Sequence, residues 1–235
     1  MSSVHSGSID KIINGKLPSR FILIEDSLVC PGKELLKCFF RTKAEKIVLI
    51  FFENHINEDY KVEVHDLFNY HYDKSFSDFI TQLTSNSVSL VIVDSLSPAL
   101  ICDSLSNVLI SLNKLIQKGT SIVSVIHTDV HSEFELKCLK QLASTHIQLA
   151  KDSQLNCFKA ECVHLKPNRR VNNVIRWHEF YQINNNGIEF IEIPKTNEIP
   201  VKISTADPTA NLPFNLKLTE DEAEAKKNLV LPYVK

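Results

Sequence analysis

Residues 27–34 read Ser-Leu-Val-Cys-Pro-Gly-Lys-Glu and follow the run Phe-Ile-Leu-Ile-Glu-Asp at 21–26. A phosphate-binding loop between a strand and a helix has the pattern G-x-x-x-x-G-K-[ST]. Gly32 and Lys33 fit that pattern, while Ser27 stands at the first glycine and Glu34 at the hydroxyl position. The loop's chemistry needs backbone N–H groups wrapped around phosphates, a lysine for charge and a hydroxyl for Mg²⁺. Ser27 gives up glycine's backbone freedom. Pro31 has no N–H to offer. Glu34 sets an anion beside the phosphates. The segment is expected to be a strand–helix turn that does not bind ATP.

Three further groupings have chemistry-bearing residue types. Ser-Leu-Val-Ile-Val-Asp-Ser-Leu at 89–96 has the form of a Walker B strand, in which Asp94 would hold Mg²⁺ through water. Asp-Ser is also an ordinary way to end a strand, because both residues favour turns. His127 and His131 stand four apart. On a helix that spacing suits a metal, but the segment leaves a strand and no third ligand is set by spacing. A polar loop at the carboxyl end of a sheet is the better reading, where ligands and partners meet in α/β folds. No metal or cofactor is expected. Finally, Lys166, Arg169, Arg170 and Arg176 form the densest basic focus, with Trp177 beside them. Arginine suits phosphate contact and tryptophan stacks on bases. The alternatives are a solvated turn over a core tryptophan, or an arginine that reaches a neighbouring subunit. No Ser–His–Asp set, carboxylate pair or zinc spacing stands out, so no catalytic residue is assigned.

The elements that must position these residues alternate. Strands are expected at 21–26, 46–53, 61–68, 89–96, 120–127 and 145–151, with 61–68 the weaker, edge-like one. Helices are expected at 33–44, 75–87 (Ser75 as N-cap), 105–119 (closed by Gly119) and 133–144. Strands apolar on both faces, alternating with helices, imply a parallel sheet covered on two sides. After residue 151 the pattern becomes antiparallel: 156–167 and 172–183 flank a polar turn, and 187–194 follows. These strands should extend the end of the sheet. From about 196 the texture changes to prolines and spaced apolar residues, with one capping-box helix candidate at 218–229, Thr219 with Glu222. The expected organisation is an α/β domain over 1–195 and an extended arm over 196–235. Leu212, Phe214, Leu216, Leu218, Leu229 and Leu231 of the arm have little local company and need a partner surface.

Composition sets the limits. The chain has 235 residues, 43% hydrophobic and 23% charged, which is ordinary for a globular domain. A net charge of −2 gives no global attraction to nucleic acid or acidic lipid, so such binding must be local. The amino-terminal residues have no apolar signal core, and no apolar run reaches membrane-spanning length. The six cysteines lack any CxxC pair and read as buried free thiols.

These stretches together resemble the fifth-subunit family of the Elongator complex. The resemblance rests on 26–37, Val-Asp-Ser-Leu-Ser at 93–97, Ile-His-Thr-Asp-Val-His at 126–131, the basic hairpin and above all 207–233. It spans essentially the whole chain. The acidic end of some members does not occur before Lys235. The resemblance implies a RecA-like domain without a working P-loop and a non-catalytic role in a heterohexameric ring with the fourth and sixth Elongator subunits. That ring would join the catalytic Elongator subcomplex, bind tRNA and support wobble-uridine modification, in the cytoplasm or also the nucleus. Two alternatives stay open: a divergent ATPase with nucleotide at a subunit boundary, and a protein-bridging adaptor without RNA contact.

Overall fold

The computed structural model describes residues 8–40, 44–53, 62–67, 75–83, 87–152, 157–166, 173–184 and 187–191. All belong to one unit of the chain, Met1–Glu192. Four strands form its centre: β1 (Phe21–Asp26), β2 (Ile47–Phe51), β4 (Leu90–Val93) and β5 (Ser121–His127). β1, β2 and β4 are buried at every position, as expected for strands covered on both faces. β3 (Glu63–Asp66) lies outside β2 with mostly half-exposed residues and is an edge, as its weaker pattern suggests.

The sheet order is β3-β2-β4-β5-β1-β6-β7-β8-β9, with β6 (Thr145–Asp152), β7 (Cys157–Lys166), β8 (Asn173–Asn184) and β9 (Gly187–Ile191) completing it. Pairings from β3 through β6 are parallel, and those from β6 through β9 are antiparallel. The expected mostly parallel sheet with an antiparallel extension is what forms.

Helices divide between the two faces. α1 (Ser8–Ile13) and α2 (Lys33–Phe39) bury Ile9, Ile12, Leu35, Leu36 and Phe39 against Ile22, Ile24, Leu49 and Ile92. The opposite face takes α3 (Phe76–Leu83), α4 (Ser97–Cys102), α5 (Leu105–Gln117) and α6 (Glu133–Leu142). There Ile80, Leu112 and Leu139 pack on Leu23, Ile50, Val93 and Ile126. Side chains alternate across each strand, so β1, β2, β4 and β5 each feed both cores.

The helix ends follow their sequence signals. Ser75 Oγ accepts the N–H of Asp78, the expected cap of α3. Gly119 closes α5 at φ +89°, a conformation that disfavours any side chain. α6 opens on a reciprocal capping box between Ser132 and Glu135. α1 and α4 have no counterpart among the expected elements, and α2 stops at Phe39, short of 44. The cysteines are all free, but only Cys30, Cys157 and Cys162 are buried; Cys102 is exposed, and Cys38 and Cys138 are half-buried. No helix among the described residues is long and apolar enough to cross a membrane.

Candidate functional site at the carboxyl ends of the strands

Parallel strands end together, so whatever follows β1, β2, β4 and β5 gathers at one edge of the sheet. The register sets Asp26 of β1 directly beside His127 of β5. His127 Nδ1 lies 2.5 Å from Asp26 Oδ1, and Nε2 lies 2.8 Å from Oε2 of Glu53, two residues past β2. Hydrogen bonds to Asp26 first, then to Glu53, outweigh burial and raise the His127 imidazole to about 10. It is therefore a cation near neutral pH and donates from both ring nitrogens. Burial disfavours charge on Glu53, but hydrogen bonds from His127 and Ser95 more than offset it and hold the carboxyl below its ordinary value. A carboxylate–imidazolium–carboxylate chain thus ties three strand ends together. A histidine held that basic is a poor general base near neutral pH, so the chain acts as a clamp.

Asp26 does a second job. Its Oδ2 accepts the backbone N–H of Gly32 at 2.8 Å, across the turn from β1 into α2. That turn also closes on itself. Ser27 and Cys30 exchange backbone hydrogen bonds of 3.3 and 3.0 Å. The N–H of Leu28 goes to Asp129 Oδ2 at 2.8 Å, and Thr128 Oγ1 donates to the Asp26 carbonyl at 2.7 Å. The amides of residues 27, 28, 30 and 32 are all directed to acceptors within the chain, and Pro31 has none. Glu34 pairs with Lys37 one turn along α2, at 2.8 Å. Lys33 is the half-buried first residue of that helix. Leu28 and Val29 form the tip of the turn, 93% and 71% exposed.

Gly32 sits where a side chain would be crowded. A Cβ there would come within 3.0 Å of Ile24 Cγ2 and 3.3 Å of Asp26 Cβ. The bare Cα lets the turn press against the end of β1, and that brings the Gly32 amide to the carboxylate.

Asp94, the Walker-B-like residue, follows β4. Its two carboxylate oxygens accept the backbone N–H groups of Phe52 and Glu53 at 2.8 and 3.0 Å. It thereby shapes the turn that carries Glu53.

The two histidines of 127–131 part company. A 3₁₀ turn, Thr128–Val130, separates them, so they share no helical face. His127 joins the clamp, whereas the buried His131 ring sits 3.7 Å from Glu135 at the start of α6. Among the described residues no group of three or more His, Cys, Asp or Glu side chains is arranged to hold a metal ion.

The basic hairpin splits by strand alternation. Arg176 is exposed on one face of β8, while Trp177 points to the other and packs on the core beneath α1 and α2. Trp177 is thus half-buried against the core. Lys166 ends β7. Arg169 and Arg170 lie outside the described residues, as do Leu212, Phe214, Leu216, Leu218, Leu229 and Leu231 of the expected arm.

Asp26 and Glu53 were not legible as a site from spacing. Their signal is that three apolar runs each end in a charged or titratable residue, Asp26, Glu53 and His127, at the sheet edge where α/β folds gather their polar groups.

A sheet of this order with helices on both faces is a RecA/KaiC-like fold, and solved structures agree. FlaH, a flagellar accessory protein from Methanocaldococcus jannaschii, superposes with a TM-score of 0.60 at 14% identity, over 81% of this chain and 97% of FlaH. The KaiC-like protein PH0186 from Pyrococcus horikoshii OT3 gives 0.52 at 13% identity, over 75% and 92%. The family model for Elongator subunit Iki1 matches residues 9–171. The chain belongs to that family. Elongator complex protein 5 of Danio rerio is 26% identical over 254 residues, covering 91% of this chain and 82% of the relative. The Homo sapiens protein of the same name is 27% identical over 116 residues, covering 48% and 37%.

Proposed function

We propose that this chain is a non-catalytic subunit of Elongator. In this reading it stands in a heterohexameric ring with the fourth and sixth subunits. The ring binds tRNA and serves wobble-uridine modification by the catalytic subcomplex. Family membership supports the complex. The observation that carries the non-catalytic part is the inward-turned loop: its amides at 27, 28, 30 and 32 all have acceptors within the chain. A nucleotide phosphate is held by such amides when they point outward. Asp94, the residue placed for Mg²⁺, already accepts two backbone amides.

In the proposed assembly the basic hairpin touches RNA backbone and the arm over 196–235 engages a partner subunit. The assignment is tested by purifying the complex through a tagged version of this chain and measuring its mass and composition. The expected result is a particle with two copies each of three RecA-like subunits, bound to the catalytic subcomplex, whose ATP turnover changes less than about twofold in Lys33→Ala. A tenfold loss, about 1.4 kcal/mol in barrier, favours instead a divergent ATPase with nucleotide at a subunit boundary. An intact ring with no tRNA affinity favours the bridging adaptor.

A further inference from the structure

We propose that Asp26 is the internal ligand of the strand–loop–helix turn, a built-in carboxylate in the place of a nucleotide phosphate, so that the turn holds its closed shape without nucleotide. This rests on the non-catalytic reading above and assigns its physical cause to one residue.

The geometry is specific. A phosphate held at such a turn is an anion that accepts backbone N–H groups and meets a neighbouring cation. Asp26 reproduces both interactions from within the chain. Oδ2 accepts Gly32 N–H at 2.8 Å, and Oδ1 meets the His127 ring at 2.5 Å. The Asp26 side chain is only 4% exposed, so this carboxylate has left water and depends on those two partners. Thr128 adds a hydrogen bond to the Asp26 carbonyl, and Asp129 takes the Leu28 amide, so the segment after β5 locks the same turn from its other side. The close approach that makes the Asp26–Gly32 bond leaves little room for a side chain at 32, where a Cβ would sit 3.0 Å from Ile24 Cγ2. The retained glycine of the motif therefore serves an internal carboxylate.

Two consequences separate this device from a merely incomplete loop. An incomplete loop would be loose, and nucleotide would tighten it. A self-liganded loop is ordered in the isolated chain and indifferent to nucleotide. The sequence contains five glycines, so selective ¹⁵N-glycine labelling of the full chain gives a short, assignable set of amide signals. Gly119 is the internal control, because its N–H is bonded to the Ile116 carbonyl at the end of α5, remote in sequence from the turn.

In the unmodified chain the Gly32 amide should be protected from hydrogen exchange, and Mg·ATP should leave its signal and the melting temperature unchanged. In Asp26→Ala, Gly32 should exchange at least tenfold faster with Gly119 unaffected. Retained Gly32 protection in a folded Asp26→Ala protein overturns the proposal, and so does a saturable response of Gly32 to Mg·ATP in the unmodified chain. If Asp26→Ala loses protection at Gly119 as well, Asp26→Asn decides. It keeps the side-chain volume and one acceptor oxygen. His127 should then titrate at least one pH unit lower than in the unmodified chain, and an unchanged His127 titration refutes the role of Asp26. These measurements use the isolated chain, so they can fail while the ring assignment stands, or hold while it falls.

Discussion

Asp94 accepts the backbone N–H of Glu53 at 3.0 Å while Glu53 accepts from His127 at 2.8 Å. The aspartate that resembles a Mg²⁺ ligand thus aims a carboxylate at the clamp. Asp94 also accepts the Phe52 amide and is 9% exposed. Removing it leaves two amides of a tight turn without their acceptor. Each such loss costs about 1–3 kcal/mol in a buried setting. Asp94→Ala should lower stability by about 2–4 kcal/mol, and Asp94→Asn by about half of that because one acceptor oxygen remains. Urea unfolding with the slope held common measures it. A midpoint for Asp94→Ala equal to that of the unmodified chain would show that the turn does not depend on this residue.

The clamp also sets a pH dependence. His127 titrates at about 10 in the folded chain, against about 6.5 when unfolded. A folded pKa raised above the unfolded one stabilises fully below about 6.5, and that stabilisation is lost as pH rises through about 10. Buried thiols and Tyr181, whose pKa values burial raises, add the same sign of effect higher up. The His127 contribution is therefore clearest between pH 6.5 and 9. Over that interval the unmodified chain should lose about 1–2 kcal/mol relative to His127→Gln, a figure discounted for the partial exposure of the ring. Denaturant midpoints of both proteins across the interval decide the matter. Parallel curves for the two would remove His127 from the account.

Much of the fold could be read from residue order because burial on both faces leaves a plain mark. Phe-Ile-Leu-Ile and Leu-Val-Ile-Val run apolar without alternation, and they are the fully buried β1 and β4. The short helices α1 and α4 were not legible. Six residues make fewer than two turns, too few for a 3.6-residue period to show, and α4 is held by Pro98 in its first turn and by the packing of Ala99 and Leu100. The clamp was hidden for another reason. Residues 26, 53 and 127 meet only because β5 crosses back beside β1 and β2 lies one strand beyond β4, an order that local pattern does not encode. Trp177 could be placed only by parity. Once Cys162 is known to face the core, its cross-strand partner Trp177 must do so too, and Arg176 must not.

The arm gives a third prediction. Leu212, Phe214, Leu216, Leu218, Leu229 and Leu231 are spaced along a proline-interrupted segment and cannot form a core alone. Deleting 205–235 should leave the α/β domain with its melting temperature nearly unchanged, because Met1–Glu192 forms a compact unit of its own. Assembly with the partner subunits should fail or weaken at least tenfold. Sedimentation of the reconstituted mixture reads this directly, and a normal particle from the truncated chain would rule out an interface arm.

The basic hairpin gives the fourth. Lys166 ends β7 and Arg176 is the fourth residue of β8, and Arg169 and Arg170 lie between these strands in the sequence. The chain carries a net charge of −2, so its overall field does not draw RNA, and affinity must come from a focus such as this one. Phosphate binding gives affinity that is largely independent of sequence and falls with salt, with a log–log slope of about −0.7 per neutralised phosphate for single strands. Arg169→Glu with Arg170→Glu should therefore weaken tRNA binding by the assembled ring severalfold, and flatten the salt slope by about 0.7 for each phosphate that is no longer neutralised. Trp177 is half-buried against the core, so Trp177→Ala should cost stability, though less than the roughly 3–5 kcal/mol of a fully buried aromatic, and is no clean test of RNA binding. Arg176 is exposed on the other face of β8, so Arg176→Glu should add to the loss of tRNA affinity without unfolding the sheet. If instead the ring dissociates, the arginines bridge subunits; if an intact ring keeps full affinity and the same slope, the hairpin does not touch RNA.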